Sequence, residues 1–400
     1  MTEVHLKHSW QEARQLAHRS AEPLAAEWLP LAAAAGRKLA DPVQSAQDIP
    51  HFDSSAMDGW AVNGSPPWIF VAPGERLYPG QASPILTGGM LPAGTKAVLR
   101  SESGEESLDQ DGLPVLRLGV RAKLGEPKAG QHVRRRAQEA SAEEVLLSPG
   151  ALLNPARLAL AALAGVDQLR VTGKPRVELF FTGDEIIEHG VPAAGQVRDV
   201  FGPQLGGVVE SLGGIVLGQR RLRDDLAETM SAFAQSEATV LLSTGGTGRS
   251  AADQLHSAIE QLGGELLVDG VAMRPGAPSL LATLPGTEAH PGQRYLVGLP
   301  GNPLAAFMAV LTLLQPLIAG LNGEPLAEGF ELACGVAIDP FEGKTRLMPY
   351  REFYGLASPV SKTEAAMLRG LAEADGVMIV PPHGVRMGET VVALPLPWSG

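Results

Sequence analysis

Predicted strands and helices alternate along residues 174–326, and this alternation constrains the fold more than any other feature of the sequence. Short apolar runs such as Val177–Phe181, Thr239–Ser243 and Tyr295–Gly298 are separated by helical stretches such as Leu304–Leu321. Strands that are connected through helices pair in parallel, and the helices then cover both faces of the sheet. The sequence therefore predicts a doubly wound, mostly parallel α/β domain over this region.

The flanking regions differ in character and predict three further domains. Residues 1–50 and 141–173 predict one discontinuous helical domain, with a helix over residues 8–40. Residues 51–140 are short β-like runs broken by Pro and Gly, which predict a β-rich insert domain. Residues 327–400 return to short strands with Gly and Pro turns, and they predict a small, barrel-like β domain. The predicted fold class is thus multidomain α/β.

Composition and charge exclude several classes of protein. The 32 Lys and Arg against 44 Asp and Glu give a net charge of −12, and an acidic chain lacks the basic face that sequence-independent nucleic-acid binding needs. The single cysteine, Cys334, excludes an internal disulfide and a cysteine-based zinc site, which fits a cytoplasmic protein. The apolar stretch Leu304–Ala319 is interrupted by Gln315 and Pro316 and is too short for a bilayer, so we expect a buried helix and no membrane association.

Three of the predicted strands end in loops that can bind a ligand. Thr182–Glu185 follows the first strand, Ser243–Ser250 the second and Leu299–Pro303 the third. Ligands of open α/β sheets bind outside the carboxyl ends of the strands. The loop Ser243–Ser250 combines glycines, hydroxyls and a following helix, which suit an anionic group. A Gly-rich turn without a ligand explains this loop alone equally well.

Acidic residues near the same strand ends are candidate metal ligands. Asp184, Glu185, Asp199 and Asp253 supply the oxygens that Mg²⁺ prefers, usually as one or two carboxylates beside a phosphate. Any one of them alone is more simply explained as a solvated loop residue or a helix N-cap, but a cluster opposite an anion-binding loop favours a site. The basic run Arg134–Arg136 fits a phosphate clamp or a solvated strand edge equally well.

Eight blocks of sequence follow one another in a recognisable order over residues 9–395. Two of them are especially specific, because Phe52–Val62 contains AMDG and Gly298–Pro303 reads GLPGNP. The other six blocks are Leu86–Gly94, Gly130–Arg136, Phe181–Ile186, Gly195–Asp199, Val271–Gly276 and Leu371–Gly376. This order resembles that of the molybdopterin molybdenumtransferases, a family that includes the E domain of gephyrin.

The resemblance implies an activity and a site. Members insert molybdate into the dithiolene of adenylylated molybdopterin and release AMP with the help of Mg²⁺, as homodimers of four-part subunits. The matching catalytic residues are Asp58, Thr87, Glu185 and Asp253, and the matching metal ligands are Glu185, Asp199 and Asp253. Asp58 and Thr87 would face the α/β domain of the other subunit. The candidate substrate-binding residues, from the loops and the resemblance together, are Arg134, Asp184, Ser243, Gly245, Gly246, Thr247, Ser250, Arg274, Pro300, Asn302, Pro303, Arg346 and Arg351.

Several segments depart from the family pattern, and one of them is Ala137-Gln138-Glu139, where the family has GED after the insert arginines. The loop that reads SGGVSVGxxD in the family is STGGTGRSAAD here, and its GGTG resembles the molybdopterin adenylyltransferases, which bind the same pterin. Ala277 replaces the second lysine of KPGKP, and Ala365–Ala366 replace the serine and histidine that begin SHMLSSL. Two alternatives therefore stay open, namely a paralogue that binds molybdopterin or its adenylate without inserting metal, and an insertase for another oxyanion such as tungstate. The cations that remain for an oxyanion are Arg274, Arg346, Arg351 and Arg369.

Overall fold

The computed structural model describes residues 8–247 and 254–398, and the chain divides into two compact units. One unit comprises residues 1–25 together with 173–400, and the other comprises residues 26–172. The finer division into four domains stays a prediction.

The unit of residues 26–172 is built mainly from short strands. Its largest sheet has six strands, in the order Ala97–Arg100, Gly59–Asn63, Gln81–Ile85, Trp68–Phe70, Pro114–Leu118 and Gly104–Leu108. The Trp68 side chain is fully buried against this sheet, and its indole nitrogen donates to the Gly64 carbonyl. The remaining elements are the strands Glu27–Pro30, Val43–Gln44, Ser54–Ser55, Val133–Arg134, Val145–Leu147 and Gln168–Val171, the helix Pro155–Leu163 and the 3₁₀ turns Leu31–Ala33 and Ser101–Ser103.

The other unit contains the predicted α/β sheet. Its six strands lie in the order Ile215–Leu222, Arg176–Thr182, Val240–Thr244, Arg294–Leu299, Leu280–Leu284 and Glu265–Asp269. The first four are parallel, which confirms the prediction, while the last two form an antiparallel pair that the sequence pattern does not predict.

Both faces of this sheet are covered, because alternate residues of each strand point to opposite sides. Leu179 and Leu242 belong to one apolar core, with the helices Leu205–Ser211 and Pro303–Leu321. Phe180 belongs to the opposite core. The helices that cover this second face are Leu226–Gln235 and Leu255–Gln261.

The C-terminal strands close into a five-stranded barrel, as the sequence predicts. Each strand pairs with the next in the order Thr345–Phe353, Leu356–Pro359, Phe330–Cys334, Thr390–Pro395 and Gly376–Val380, and the last strand pairs back with the first. The thiol-bearing Cys334 is buried in its core. The strand Val271–Arg274 pairs in parallel with His8–Ser9 on one side and with the barrel strand Thr345–Phe353 on the other. A short helix spans Arg369–Ala372.

The N-terminal helix is much shorter than the sequence predicts. It covers Trp10–Arg19 and begins at a capping box between Ser9 and Glu12. The prediction of helix to residue 40 is wrong, because Glu27–Pro30 is instead a strand paired with Gln168–Val171. Prolines at 23 and 30 flank this segment and disfavour a continuous helix there.

The long apolar helix runs over Pro303–Leu321 and continues through Gln315 and Pro316. The helix predicted over Leu304–Leu321 is therefore confirmed. The turn Val310–Leu314 is π-helical, and in that bonding pattern the Leu311 carbonyl would need an N–H that Pro316 lacks. By length and composition this helix could cross a membrane, yet 89% of its apolar window is buried inside the protein, as expected for a core helix.

The buried Arg14 supplies the missing donor. Its guanidinium donates to the Leu311 carbonyl and, at 2.8 Å, to the Ala327 carbonyl. Burial lowers the pKa of Arg14 to about 10. The side chain thus ties the N-terminal helix to the proline-containing turn of the core helix.

We expect Arg14→Met to lower the free energy of unfolding by about 2–4 kcal/mol, because it leaves buried carbonyl groups without donors. The matched control is Arg19→Met on the same helix, whose exposed position predicts a change within about 0.5 kcal/mol. Urea denaturation of both variants measures the difference. Equal midpoints for the two variants would contradict this role of Arg14.

Candidate functional site

The loops at the carboxyl ends of the parallel strands surround a cleft of about 670 Å³. Because parallel strands end at the same edge of the sheet, loops that are far apart in sequence meet there. Of the predicted site residues, the cleft is lined by Glu185, Asp199, Gly245, Gly246, Asn302 and Pro303.

Four other predicted residues of these loops do not line the cleft. Ser243 and Thr247 are buried, and Asp184 and Pro300 also lie outside the lining. The predicted residues Ser250 and Asp253 lie outside the described residues. Glycines and the residues Thr182, Thr244 and Asn302 all belong to the described lining of the cleft.

The glycine-rich loop is fixed by hydrogen bonds to its two neighbouring strands. The Thr182 hydroxyl donates to the Thr244 carbonyl at 2.8 Å, and the Gly245 amide donates to the Leu299 carbonyl at 2.9 Å. Gly245 has φ +86°, and a Cβ there would lie 2.6 Å from the Thr182 hydroxyl oxygen. Only glycine fits this position, and the loop backbone can therefore approach a ligand closely.

Asp199 is held by the protein itself. One carboxylate oxygen accepts from the amides of Phe201 and Gly202 at 2.9 and 3.1 Å, and the other accepts from Arg221 at 2.6 Å. The same guanidinium donates to Glu188 at 3.2 Å. Both oxygens of Asp199 are thus engaged, whereas the Glu185 carboxylate has no hydrogen-bond or ion-pair partner among the described residues.

The cleft has two charged lining residues that the sequence reasoning missed, namely Arg198 and Asp224. Arg198 directly precedes Asp199 in a block that matches the family, and this adjacency was the signal available for it. Ala366, one of the two residues that depart from the family's SHMLSSL, also lines the cleft, although it comes from the C-terminal part of the chain.

The first turn of the core helix lines the cleft and also contacts the loop that follows Arg274. Asn302 caps this helix without using its side chain, and the Ala305 amide donates to the Ala365 carbonyl at 3.2 Å. A Cβ on Gly276 would lie 3.0 Å from the Ala305 carbonyl oxygen. The loop that follows Arg274 therefore packs directly against the helix whose first residues line the cleft.

Arg274 and Arg346 converge, as an oxyanion site would require. They are opposite each other on paired parallel strands. Their guanidinium carbons lie 5.2 and 5.9 Å from the centre of the Phe341 ring. The Arg346 guanidinium also donates to the Asp339 carbonyl.

The other two arginines do not join this pair. Arg351 lies five residues beyond Arg346 on one strand, or about 16 Å away and on the opposite face. It stacks on Phe353 at 5.3 Å. Arg369 is paired with Glu373 at 3.6 Å on the surface.

In the unit of residues 26–172, the predicted site residues Asp58, Thr87 and Arg134 lie around the short strand Ser54–Ser55. Arg134 is opposite Ser54 in an antiparallel pair, and the Gly88 amide next to Thr87 donates to the Ser55 carbonyl at 2.8 Å. The Thr87 amide donates to Asp58 at 2.6 Å, which lowers the pKa of that carboxyl. Asp58 is therefore an anion at neutral pH.

Two aspartates engage the other arginines of the basic run. The Asp53 carboxylate accepts from the Arg135 guanidinium at 2.9 Å and from the Arg136 amide at 2.8 Å, and the Asp48 carboxylate accepts from the Arg136 guanidinium. Arg134 has no hydrogen-bond or ion-pair partner among the described residues. The fold thus leaves the predicted arginine free to bind a ligand.

Fold and site together define a chain with a ligand-binding α/β domain of the molybdopterin-binding type. Residues 178–320 match the family model "probable molybdopterin binding domain", and residues 8–165 match "MoeA N-terminal region (domain I and II)". The chain belongs to the molybdopterin molybdenumtransferase family.

Relatives and solved structures cover most of the chain. A molybdopterin molybdenumtransferase of Nostoc sp. is 34% identical over 326 residues, which are 76% of this chain and 71% of that protein. One of Synechococcus elongatus is 31% identical over 385 residues, which are 86% of this chain and 91% of that protein. The crystal structure of a molybdopterin biosynthesis MoeA protein from Pyrococcus horikoshii has a TM-score of 0.72 at 25% identity, and the match covers 96% of this chain and 98% of that one.

We expect Gly245→Ala to lower the free energy of unfolding by about 1–3 kcal/mol, since a side chain at positive φ is strained and this one also meets the Thr182 hydroxyl. The control is Gly207→Ala in the helix Leu205–Ser211, where a Cβ meets nothing within 4 Å. The control should stabilise the protein by about 0.5–1 kcal/mol. Chemical denaturation measures both, and effects of the same sign would contradict the assignment.

Proposed function

We propose that this protein inserts molybdate into adenylylated molybdopterin and releases AMP. Family membership supports the reaction, and one observation carries it for this chain: Arg274 and Arg346 are paired on neighbouring strands, and the loop that follows Arg274 packs against the helix start that lines the cleft. The cleft binds the pterin nucleotide, and the arginine pair binds the oxyanion beside it.

The chemistry of the two substrates matches this division. Molybdate is a hard, doubly charged oxyanion, and guanidinium groups donate to such oxygens in a fixed fork. The soft ligands for molybdenum come from the dithiolene sulfurs of the pterin substrate. In this proposal Arg346 compensates for the lysine that Ala277 replaces, because it is already paired in register with Arg274.

Magnesium belongs to the proposal as an assisting ion. Glu185 fits this role, since its carboxylate lines the cleft without a partner among the described residues. Asp199 would have to release Arg221 to become a direct ligand, and Asp253 lies outside the described residues. Within residues 8–247 and 254–398 no group of three or more His, Cys, Asp or Glu could hold a metal, so substrate phosphate and water would complete the shell. When bound, the ion would polarise the phosphoryl group.

We also propose a cytoplasmic homodimer in which each active site is shared between subunits. Asp58 and Thr87 of one subunit would then act with the cleft of the other, as the family resemblance implies. The four-domain division of the chain belongs to the same proposal. Neither nucleic acid nor a membrane has a part in it.

We expect molybdate-dependent AMP release from adenylylated molybdopterin. Arg274→Ala and Arg346→Ala should each raise the KM for molybdate about 10–100-fold, which corresponds to one lost charge-assisted hydrogen bond of about 1.5–3 kcal/mol. The control Arg351→Ala, which is remote from the pair, should change the KM by less than about threefold.

Three outcomes of this assay would decide against the proposal. Tight binding of the adenylate without molybdate-dependent release would identify a carrier that does not insert metal. Release with tungstate but not with molybdate would identify an insertase for another oxyanion. An effect of Arg351→Ala equal to that of the paired arginines would contradict the assigned oxyanion site.

A second experiment tests the shared site. Asp58→Ala and Glu185→Ala change different compact units, so mixing the two inactive variants should form dimers with one intact site and restore about a quarter of the wild-type activity. Subunit exchange is followed by light scattering and AMP release. Mixed dimers that stay inactive would show that each subunit works alone.

A further inference from the structure

The charge of the cleft raises the question of how it holds an anionic substrate. Four charged side chains line it among the described residues, and three of them are acidic: Glu185, Asp199 and Asp224. The fourth, Arg198, is the one cation of the described lining. A nucleotide or pterin phosphate that entered this cleft would meet the Glu185 carboxylate, which has no partner among the described residues, and a cation would offset that repulsion.

The acid nearest to Arg198 in sequence is already neutralised by another residue. Asp199 accepts from Arg221 at 2.6 Å and its side chain is only 8% exposed. Arg198 is therefore not needed as a counter-ion for its neighbour. Its guanidinium has no hydrogen-bond or ion-pair partner among the described residues.

The backbone that carries Arg198 is held firmly. Strand Val197–Arg198 pairs in parallel with Ile186–Ile187. The Val197 amide donates to the Glu185 carbonyl at 3.0 Å, and the Asp199 amide donates to the Ile187 carbonyl at 2.9 Å. Arg221 contacts both Glu188 and Asp199, the residues that follow the two strands. A fixed backbone with a free, exposed cation is the arrangement expected of a binding residue.

We propose that Arg198 is the cation of the cleft that binds the phosphate groups of the substrate. This inference rests on the proposed function, in which the substrate is adenylylated molybdopterin, whose pterin and nucleotide are joined through phosphate. The guanidinium donates two parallel hydrogen bonds to phosphate oxygens, and the glycine-rich loop opposite exposes backbone at Gly245 and Gly246. Arg198 is thus a substrate-binding residue, while Arg221 is a positioning residue that keeps Asp199 from competing for it.

The proposal is tested by calorimetric titration of the full-length protein with AMP, inorganic pyrophosphate and adenosine. Arg198→Ala should weaken binding of AMP and pyrophosphate at least tenfold and leave adenosine binding unchanged. Arg198→Lys should recover part of the loss, and raised salt should weaken AMP binding to wild type more than to Arg198→Ala. Loss for AMP but not for pyrophosphate would assign Arg198 to the nucleotide phosphate alone.

The matched control is Arg176→Ala. Arg176 begins the strand that ends at Thr182, so it lies at the other end of the sheet from the cleft, about 20 Å away. Its guanidinium pairs with Glu237 at 3.0 Å. This variant should bind all three ligands as wild type does. An equal loss in Arg176→Ala would show a general effect of charge rather than a contact.

Unchanged AMP and pyrophosphate affinity in Arg198→Ala would overturn the inference. An equal loss of adenosine binding would overturn it as well, because that loss reports a damaged cleft, and so would the absence of AMP binding to wild type. Failure of the proposed function has a different signature, since wild type would then bind AMP through Arg198 yet show no molybdate-dependent AMP release.

Discussion

Parallel pairing of Val240–Thr244 between Arg176–Thr182 and Arg294–Leu299 is the constraint on which the site depends. It brings three loops to one edge, and two hydrogen bonds then connect them, from Thr182 to Thr244 and from Gly245 to Leu299. The buried faces of these strands are apolar on both sides, so a register shift would expose one core or the other. The geometry of the cleft is therefore set by the packing of the whole sheet rather than by the loops themselves.

Positive charge is distributed sparingly in this acidic chain, and the structure assigns each arginine near the site a distinct environment. Arg221 neutralises Asp199, and Asp53 engages the neighbours of Arg134. Arg274 and Arg346 are paired in register on neighbouring strands and share one aromatic ring, so two like charges contact the same side chain. Such an arrangement has an electrostatic cost that a bound dianion would remove, which is a physical reason to expect an oxyanion there.

The sequence predicted the structure best where local patterns of apolar and turn residues determine it. The parallel strands, the buried core helix and the closed barrel follow from apolar runs and turn residues, and the loops after the strands follow from the topology of such sheets. Prediction failed where long-range contacts decide. No helix separates Glu265–Asp269 from Leu280–Leu284, or Leu280–Leu284 from Arg294–Leu299, so these strands pair antiparallel. The core helix itself was predicted, but not that Arg14, some 300 positions earlier in the chain, supplies a donor to the turn that contains Pro316.

The sequence by itself determined which chemical groups are available: the glycines of the anion loop, the carboxylates after the strands, the asparagine before the core helix and the family to which the chain belongs. Only the tertiary structure decided which of these groups are free to act. Asp199 and Glu185 look alike in the sequence, but Arg221 engages one and leaves the other open. Arg346 and Arg351 lie on one strand, yet only Arg346 meets Arg274. The reason is that availability depends on partners distant in sequence, and strand pairing, burial and charge select those partners only after the chain has folded.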